Sequence, residues 1–447
     1  VPVGVEPGGG PERAVLVGLA PRADDAAAET LRELARLAET AGAVVADVVV
    51  QHRPRADPAT CLGAGKVEEV RARVRSAGAQ LVIVDHELTP AQQRNLERAL
   101  GVKVLDRTAL VLDIFAQRAR THEGRLQVEL AQLTYLLPRL AGRGVQLSRL
   151  GGGIGTRGPG ETKLEVDRRR IRARITELRR GIDALQRHRR LQRQSRKDAA
   201  LPVVALVGYT NAGKSTLLNT LTRANVVTAD KLFATLDPTT RRVVLPNHRP
   251  IALVDTVGFI RKLPHDLVAA FRATLEEVTD ADLLVHVIDA SHPQWMAQRD
   301  AVEQVLRELG AAQTPRVTAL NKVDRLSPEA LRDVVAEVPD AVPISALRGV
   351  GLLNLLRVIS QRLPDPGRRV RLAIPHARAG VLAGVYAQGR VLRREDTAEE
   401  MILEAEVPAA ALTSLRPYLR EEPPAPRAAG DGGGGQTGAA EGDGRAS

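Results

Sequence analysis

The sequence predicts an α/β protein: a P-loop nucleotide-binding domain, preceded by a small α/β domain with a long antiparallel helical hairpin and followed by a small α+β module. Three patterns predict it. Strand-sized apolar runs alternate with helical periodicities before residue 107. Two later stretches space Leu and Ile by four and three residues, and one apolar strand runs straight into a glycine loop that opens a helix.

In the first region, runs at 14–19, 44–50, 81–85 and 102–105 read as strands. An Ala/Leu/Glu-rich helix follows the first, and helices at about 66–77 and 90–100 separate the others. The next region carries Leu126, Leu130, Leu133, Leu137 and Leu140, then Ile171, Ile175, Leu178, Ile182 and Leu185. Each set is a coiled-coil seam, and the simplest partner for one stripe is the other, which gives the hairpin. Its connection, 142–161, holds eight glycines and three arginines, a composition that opposes regular structure and suits close approach to phosphates. Beyond a linker at 363–367, VRLAIP, GVLAGVYAQGRVL and MILEAEV read as strands before a helix at about 408–419. The expected domains are 1–106, 107–200, 201–363 and 364–422, with a Pro/Gly/Ala-rich tail at 423–447 expected to be disordered.

Charge narrows the partners. The net charge is +11 and the pI near 10.3, and 165–197 alone has thirteen Arg or Lys against four Asp or Glu. Such a surplus favours polyanions, so Arg143, Arg149, Arg157, Arg168, Arg169 and Arg170 are candidate RNA contacts. Aromatic content of 2% argues against stacking on single-stranded bases and for backbone contact with structured RNA. The apolar runs are far shorter than the roughly 18 residues a membrane span needs. No signal peptide is evident, and a single cysteine, Cys61, cannot form an internal disulfide, which fits a reducing cytosol, so a cytoplasmic location is expected; a monomer is a separate expectation.

The chemistry concentrates in five segments. The strand 202–208 enters GYTNAGKST at 208–216, and helical spacing follows, the context that makes this pattern a phosphate-binding loop. Gly208 and Gly213 let the backbone wrap the phosphates, Lys214 neutralises them and Ser215 ligates Mg²⁺, with Tyr209, Thr210, Asn211, Ala212 and Thr216 completing the loop. DTVG ends the strand 251–255: Asp255 holds Mg²⁺ through water and the Gly258 amide senses the γ-phosphate, with Thr256 and Val257 between them. A threonine in the intervening segment (Thr235, Thr239 or Thr240) completes the Mg²⁺ shell. NKVD, which is Asn321, Lys322, Val323 and Asp324, ends another strand, and an aspartate there accepts from both N1 and N2 of guanine, which adenine does not offer. Ser345, Ala346 and Leu347 supply an amide for guanine O6. Together these specify a P-loop GTPase domain.

With GAGKVEEV at 63–70, LVIVDHELTPAQQRNLE at 81–97, SRLGGGIGTRGPGETKLEVDRRRI at 148–171 and LFATLDPTTR at 232–241, the chain resembles the HflX family of ribosome-associated GTPases, within the translation-factor-related class. The resemblance implies contact with the large ribosomal subunit and its RNA, and ribosome splitting or rescue under stress. By position it implies Thr235 as the switch threonine, in a nucleotide-contacting segment Phe233, Ala234, Thr235, Leu236 and Asp237, so that Lys214, Thr235 and Gly258 are the expected catalytic set.

Where Ras-like enzymes place a water-orienting glutamine, this chain has Phe259, so hydrolysis of GTP to GDP and phosphate is expected to be slow alone and stimulated by the ribosome. Asn211 makes K⁺ a candidate second cation beside Mg²⁺. The competing readings are a GTPase in ribosome assembly or RNA modification, and an RNA-binding protein with slow regulatory hydrolysis. The complete Lys214, Ser215 and Asp255 set speaks against a purely structural nucleotide site.

Overall fold

The structure, a computed structural model, describes residues 10–21, 25–140, 163–198, 201–222, 232–233, 235–247, 249–261, 277–363, 367–407 and 409–420. The glycine-rich connection with Arg143, Arg149 and Arg157, the tail at 423–447 and Ala234 lie outside the described residues.

The first sheet is β1 (Arg13–Ala20), β2 (Val44–His52), β3 (Leu81–Val84) and β4 (Lys103–Asp106), all parallel, in the order β2-β1-β3-β4. Because side chains alternate along a strand, Ala14 and Leu16 face one side and Val15 and Val17 the other, and both faces are buried. Helices α2 (Ala64–Ala77) and α3 (Pro90–Leu100) cover the second face through Val70, Val74 and Leu96. Helix α1 (Asp25–Ala41) and a helix the sequence pattern did not reveal, α4 (Arg107–Arg118), cover the first. Nine successive residues of α4, Arg107 to Phe115, are buried, and these include Arg107, Thr108 and Asp113, so its polar residues do not mark a solvent face.

Helix α5 (His122–Arg139) pairs with α6 (Lys163–Asp198). Arg174 forms an ion pair with Glu129, and Gly181 lies by Leu126, so rising numbers on one helix meet falling numbers on the other. The leucine seam of α5 is only half-buried. The face sunk into the core is Gly124, Gln127, Val128 and Ala131, which packs α5 against the rest of the unit.

The second sheet has the order β10-β9-β8-β5-β7-β6. It comprises β5 (Val203–Gly208), β6 (Thr239–Val244), β7 (Pro250–Asp255), β8 (Leu283–Asp289), β9 (Arg316–Asn321) and β10 (Val342–Pro343), with only β6 antiparallel to its neighbour. Helices α7 (Lys214–Thr222), α8 (Trp295–Glu308), α9 (Pro328–Glu337) and α10 (Leu352–Arg362) connect it. The carboxyl ends of β5, β7 and β9 deliver the three loops read above to one edge.

The expected domains 1–106, 107–200 and 201–363 form one compact unit that ends at Leu363. The reason is a continuous core in which Leu34, Leu110 and Phe115 share a cluster with Tyr209, Phe233, Phe259 and Leu306. The second unit, from Pro364, has an antiparallel sheet β11-β13-β12, from β11 (Arg368–Pro375), β12 (Arg390–Asp396) and β13 (Glu400–Val407), with α12 (Ala409–Leu415) after it. The expected strand at 380–392 is instead helix α11 (Gly380–Gln388) followed by β12. An apolar run that short fits either period.

His286 on β8 is buried, and that burial, with Arg316, Lys214 and Arg299 nearby, pushes its pKa down to about 3. The unfolded chain then binds a proton near pH 6.5 that the folded chain refuses, so stability falls as pH drops from 6.5 towards 3. At pH 5 the loss is about 2 kcal/mol. Urea unfolding at pH 7.5 and pH 5 is expected to show that much extra acid sensitivity in the native protein over His286→Leu. Equal sensitivity would remove His286 as the cause.

Candidate nucleotide site

β5 ends in the phosphate loop. At Gly208 the backbone has φ +153 and a Cβ would overlap the Val287 carbonyl, while at Gly213 (φ +98) it would overlap Asn321 Nδ2. These two positions therefore require glycine for space and conformation together. Lys214, at the start of α7, is buried and donates from Nζ to the Gly208 and Tyr209 carbonyls at 3.1 and 3.0 Å. Burial pushes its pKa down to about 8 against the opposing pull of Asp255. A phosphate chain arriving there supplies counter-charge beyond that of Asp255.

Three oxygens meet beside it. Ser215 Oγ lies 2.8 Å from Thr235 Oγ1, and both donate to Asp255 Oδ2, at 2.6 and 3.0 Å. Asp255 Oδ1 is buried with no hydrogen-bond partner, and burial raises the carboxyl pKa. An unpaired buried carboxylate oxygen against two hydroxyls is a donor set of hard oxygens, which fits Mg²⁺. When bound, that cation supplies charge that neutralises the phosphate oxygens. Of the three threonines left open by the motif alone, Thr235 is the one in this cluster, and Thr239 and Thr240 begin β6.

At the other end, Asn321 fastens the phosphate loop to the base-reading loops: its Nδ2 donates to the Ala212 carbonyl at 2.7 Å and its Oδ1 accepts from the Ala346 amide at 2.9 Å. Asp324 accepts from Ser345 Oγ at 2.5 Å, and that bond holds its carboxyl below the usual range. Lys322, left-handed at φ 65, ties this loop to Asp289 at 2.6 Å. Val323 opens the short turn that carries Asp324, Thr216 lies on α7, and the Leu347 side chain is exposed at the rim.

The segment after β7 folds onto the phosphate loop. Thr256 Oγ1 donates to the Leu206 carbonyl at 2.6 Å, and a Cβ on Gly258 would strike Thr210 Cα. The Thr210 amide donates to the Phe259 carbonyl at 2.7 Å and the Phe259 amide to the Gly208 carbonyl at 3.1 Å. The Phe259 ring is buried in the core.

Sequence reading missed what stands behind this loop. Tyr209 donates to the Glu33 carboxylate at 2.9 Å and accepts from the Arg261 amide at 2.9 Å. Glu33 and Asp85 both pair with Arg107, all from the first sheet and its helices. No local pattern announces a contact across 176 residues. The segment 233–237 is also divided by the structure. Thr235 faces the metal cluster, whereas Phe233 and Leu236 are core residues and the Asp237 carboxylate is bonded to the amino end of α5. Arg169 and Arg170 are exposed on α6 and Arg168 is half-buried there, apart from the nucleotide loops in sequence and element.

Residues 28–116 match the family described as GTP-binding GTPase N-terminal, 118–196 the GTP-binding GTPase middle region, and 203–322 the 50S ribosome-binding GTPase. The chain is 51% identical over 409 residues to the GTPase HflX of Caldanaerobacter subterraneus subsp. tengcongensis, covering 91% of this chain and 94% of that one. It is 47% identical over 405 residues to that of Lacrimispora saccharolytica, covering 90% and 95%. To that of Escherichia coli it is 44% identical over 417 residues, covering 92% and 96%. With the phosphate, metal and base-reading loops assembled at one sheet edge, the chain hydrolyses GTP and belongs to the HflX family of GTPases.

Proposed function

We propose that this GTPase is a switch on the large ribosomal subunit, with splitting or rescue of ribosomes under stress as its output. The observation that carries the reading is α6, where Arg169, Arg170, Arg172, Arg179 and Arg180 are exposed along a helix whose apolar side packs on α5. Such a surface suits the phosphate backbone of structured RNA. The description of the family matched by 203–322 supports the same partner. Among the described residues no helix is long and apolar enough to cross a membrane.

In this reading Asp324 selects guanine, the 208–216 loop and Lys214 hold the phosphates, and the Gly258 amide contacts the γ-phosphate. Ser215 and Thr235 ligate Mg²⁺ directly and Asp255 does so through water. Asn211, left-handed at φ 61, is the candidate K⁺ ligand. Turnover by the free protein is slow, because Phe259 offers no hydrogen-bonding group for the attacking water.

The test is co-sedimentation with purified large subunits, together with turnover in potassium or sodium chloride. The protein is expected to pellet with a non-hydrolysable GTP analogue and to be released with GDP. Large subunits should raise turnover by roughly tenfold or more, with potassium exceeding sodium. Pelleting that ignores the nucleotide, with unchanged turnover, would remove the ribosomal reading and leave the GTPase intact.

A further inference from the structure

We propose that the amino end of α5 holds the metal-binding threonine loop in place, with Asp237 as the positioning residue for Thr235. Asp237 lies two residues beyond Thr235, and both its carboxylate oxygens are engaged. Oδ2 accepts from the Arg120 and Thr121 amides, each at 2.9 Å, and Oδ1 accepts from Thr121 Oγ1 at 2.5 Å. Thr121 is the N-cap of α5, and its hydroxyl also accepts from the Gly124 amide at 3.0 Å. The negative group thus sits on the positive end of the helix and adds to its cap.

A second observation bears on the same contact from the helix side. Gly124 lies inside the first turn of α5, where glycine costs about 1 kcal/mol relative to alanine. Its backbone does not require glycine, because its φ is not positive. What a side chain there would meet is Asp237: a Cβ on Gly124 would overlap the carboxylate oxygen. The glycine is explained by the approach of this loop.

The other side of Thr235 is anchored too. Phe233 packs edge-on against Phe115 of α4 with ring centroids 4.7 Å apart, and its amide donates to Thr210 Oγ1 at 2.9 Å. Thr235 therefore hangs between two fixed points, with its hydroxyl 2.8 and 3.0 Å from the Ser215 and Asp255 oxygens. In a loop ordered only by the γ-phosphate, the ligand must bear the whole ordering cost. Here much of that cost is met by the fold, and the benefit goes to the nucleotide that uses Thr235, the triphosphate with its metal. By linkage, a bound triphosphate also steadies the first turn of α5, the helix that carries the basic α6.

The test compares equilibrium binding of a non-hydrolysable GTP analogue and of GDP, each with Mg²⁺, in the full chain and in Asp237→Ala, Gly124→Ala and the double variant. Each single variant is expected to weaken the triphosphate about tenfold and GDP less than about twofold. The double variant should be no weaker than the weaker single one, since both remove the same contact. Urea unfolding should show Gly124→Ala no less stable than the native protein, because the helix gains propensity while the loop loses its dock. Parallel loss of both nucleotides, additive losses, or unchanged triphosphate affinity would overturn the proposal.

Discussion

Asp324→Asn is expected to weaken GTP binding on the order of 10³-fold while leaving the fold intact. Guanine presents two donors to this position, N1–H and the N2 amino group. A carboxamide offers one acceptor and one donor, so one guanine N–H meets another N–H in a confined site. Xanthine carries an oxygen where guanine has the amino group, and so presents one donor and one acceptor. The variant should therefore bind xanthosine triphosphate better than GTP, a reversal that simple damage to the pocket cannot produce. The fold is insensitive because the tethering belongs to Asn321, which holds the Ala212 carbonyl and the Ala346 amide, and because asparagine can still accept from Ser345. Competition binding with the two triphosphates, alongside urea unfolding, reads both halves. Retained GTP affinity would mean that the base is recognised elsewhere.

That such a prediction can be made from a sequence reflects how local these loops are. Gly208, Lys214 and Ser215 lie within eight residues, and their roles follow from a strand, a turn and a helix that the chain encodes in order. The metal-binding Asp255 ends one apolar strand and Asn321, three residues before Asp324, ends another, so the place of both loops at the carboxyl edge was legible too. What was not legible falls into two kinds. Helix α4 is buried along nine successive residues, polar Arg107, Thr108 and Asp113 among them, and α11 is nine residues that are mostly small or apolar, so neither carries a clear amphipathic period. The contacts behind the site are the second kind. Tyr209 meets Glu33, and Asp237 meets Thr121 across 116 residues, through a core shared by regions that look like separate domains in the pattern. Motif reading assigned Tyr209 and Asp237 to the nucleotide because they sit inside nucleotide loops. Their side chains point the other way, towards the first sheet and α5.

Asp255→Asn is the substitution in which stability and activity should separate most. In the folded protein the carboxylate is fully buried, one oxygen has no partner, and burial raises its pKa, so its charge is held at a cost. Asparagine keeps an acceptor for Ser215 and Thr235 and removes that charge. Against this, Lys214 loses a nearby opposite charge but keeps its two carbonyl partners. The two effects oppose each other, and unfolding free energy without nucleotide should stay within about 1 kcal/mol of the native value. Function has no such offset. The unpaired oxygen is what the cluster presents towards a divalent cation, and losing its charge should lower hydrolysis on the order of 10³-fold. Nucleotide with Mg²⁺ raises the thermal midpoint of a protein that binds it, and that rise should be present in the native chain and nearly absent in the variant. If the variant instead kept both the Mg²⁺-dependent rise and its turnover, the cluster of Ser215, Thr235 and Asp255 would be a structural hydrogen-bond knot, and the metal site would have to lie elsewhere.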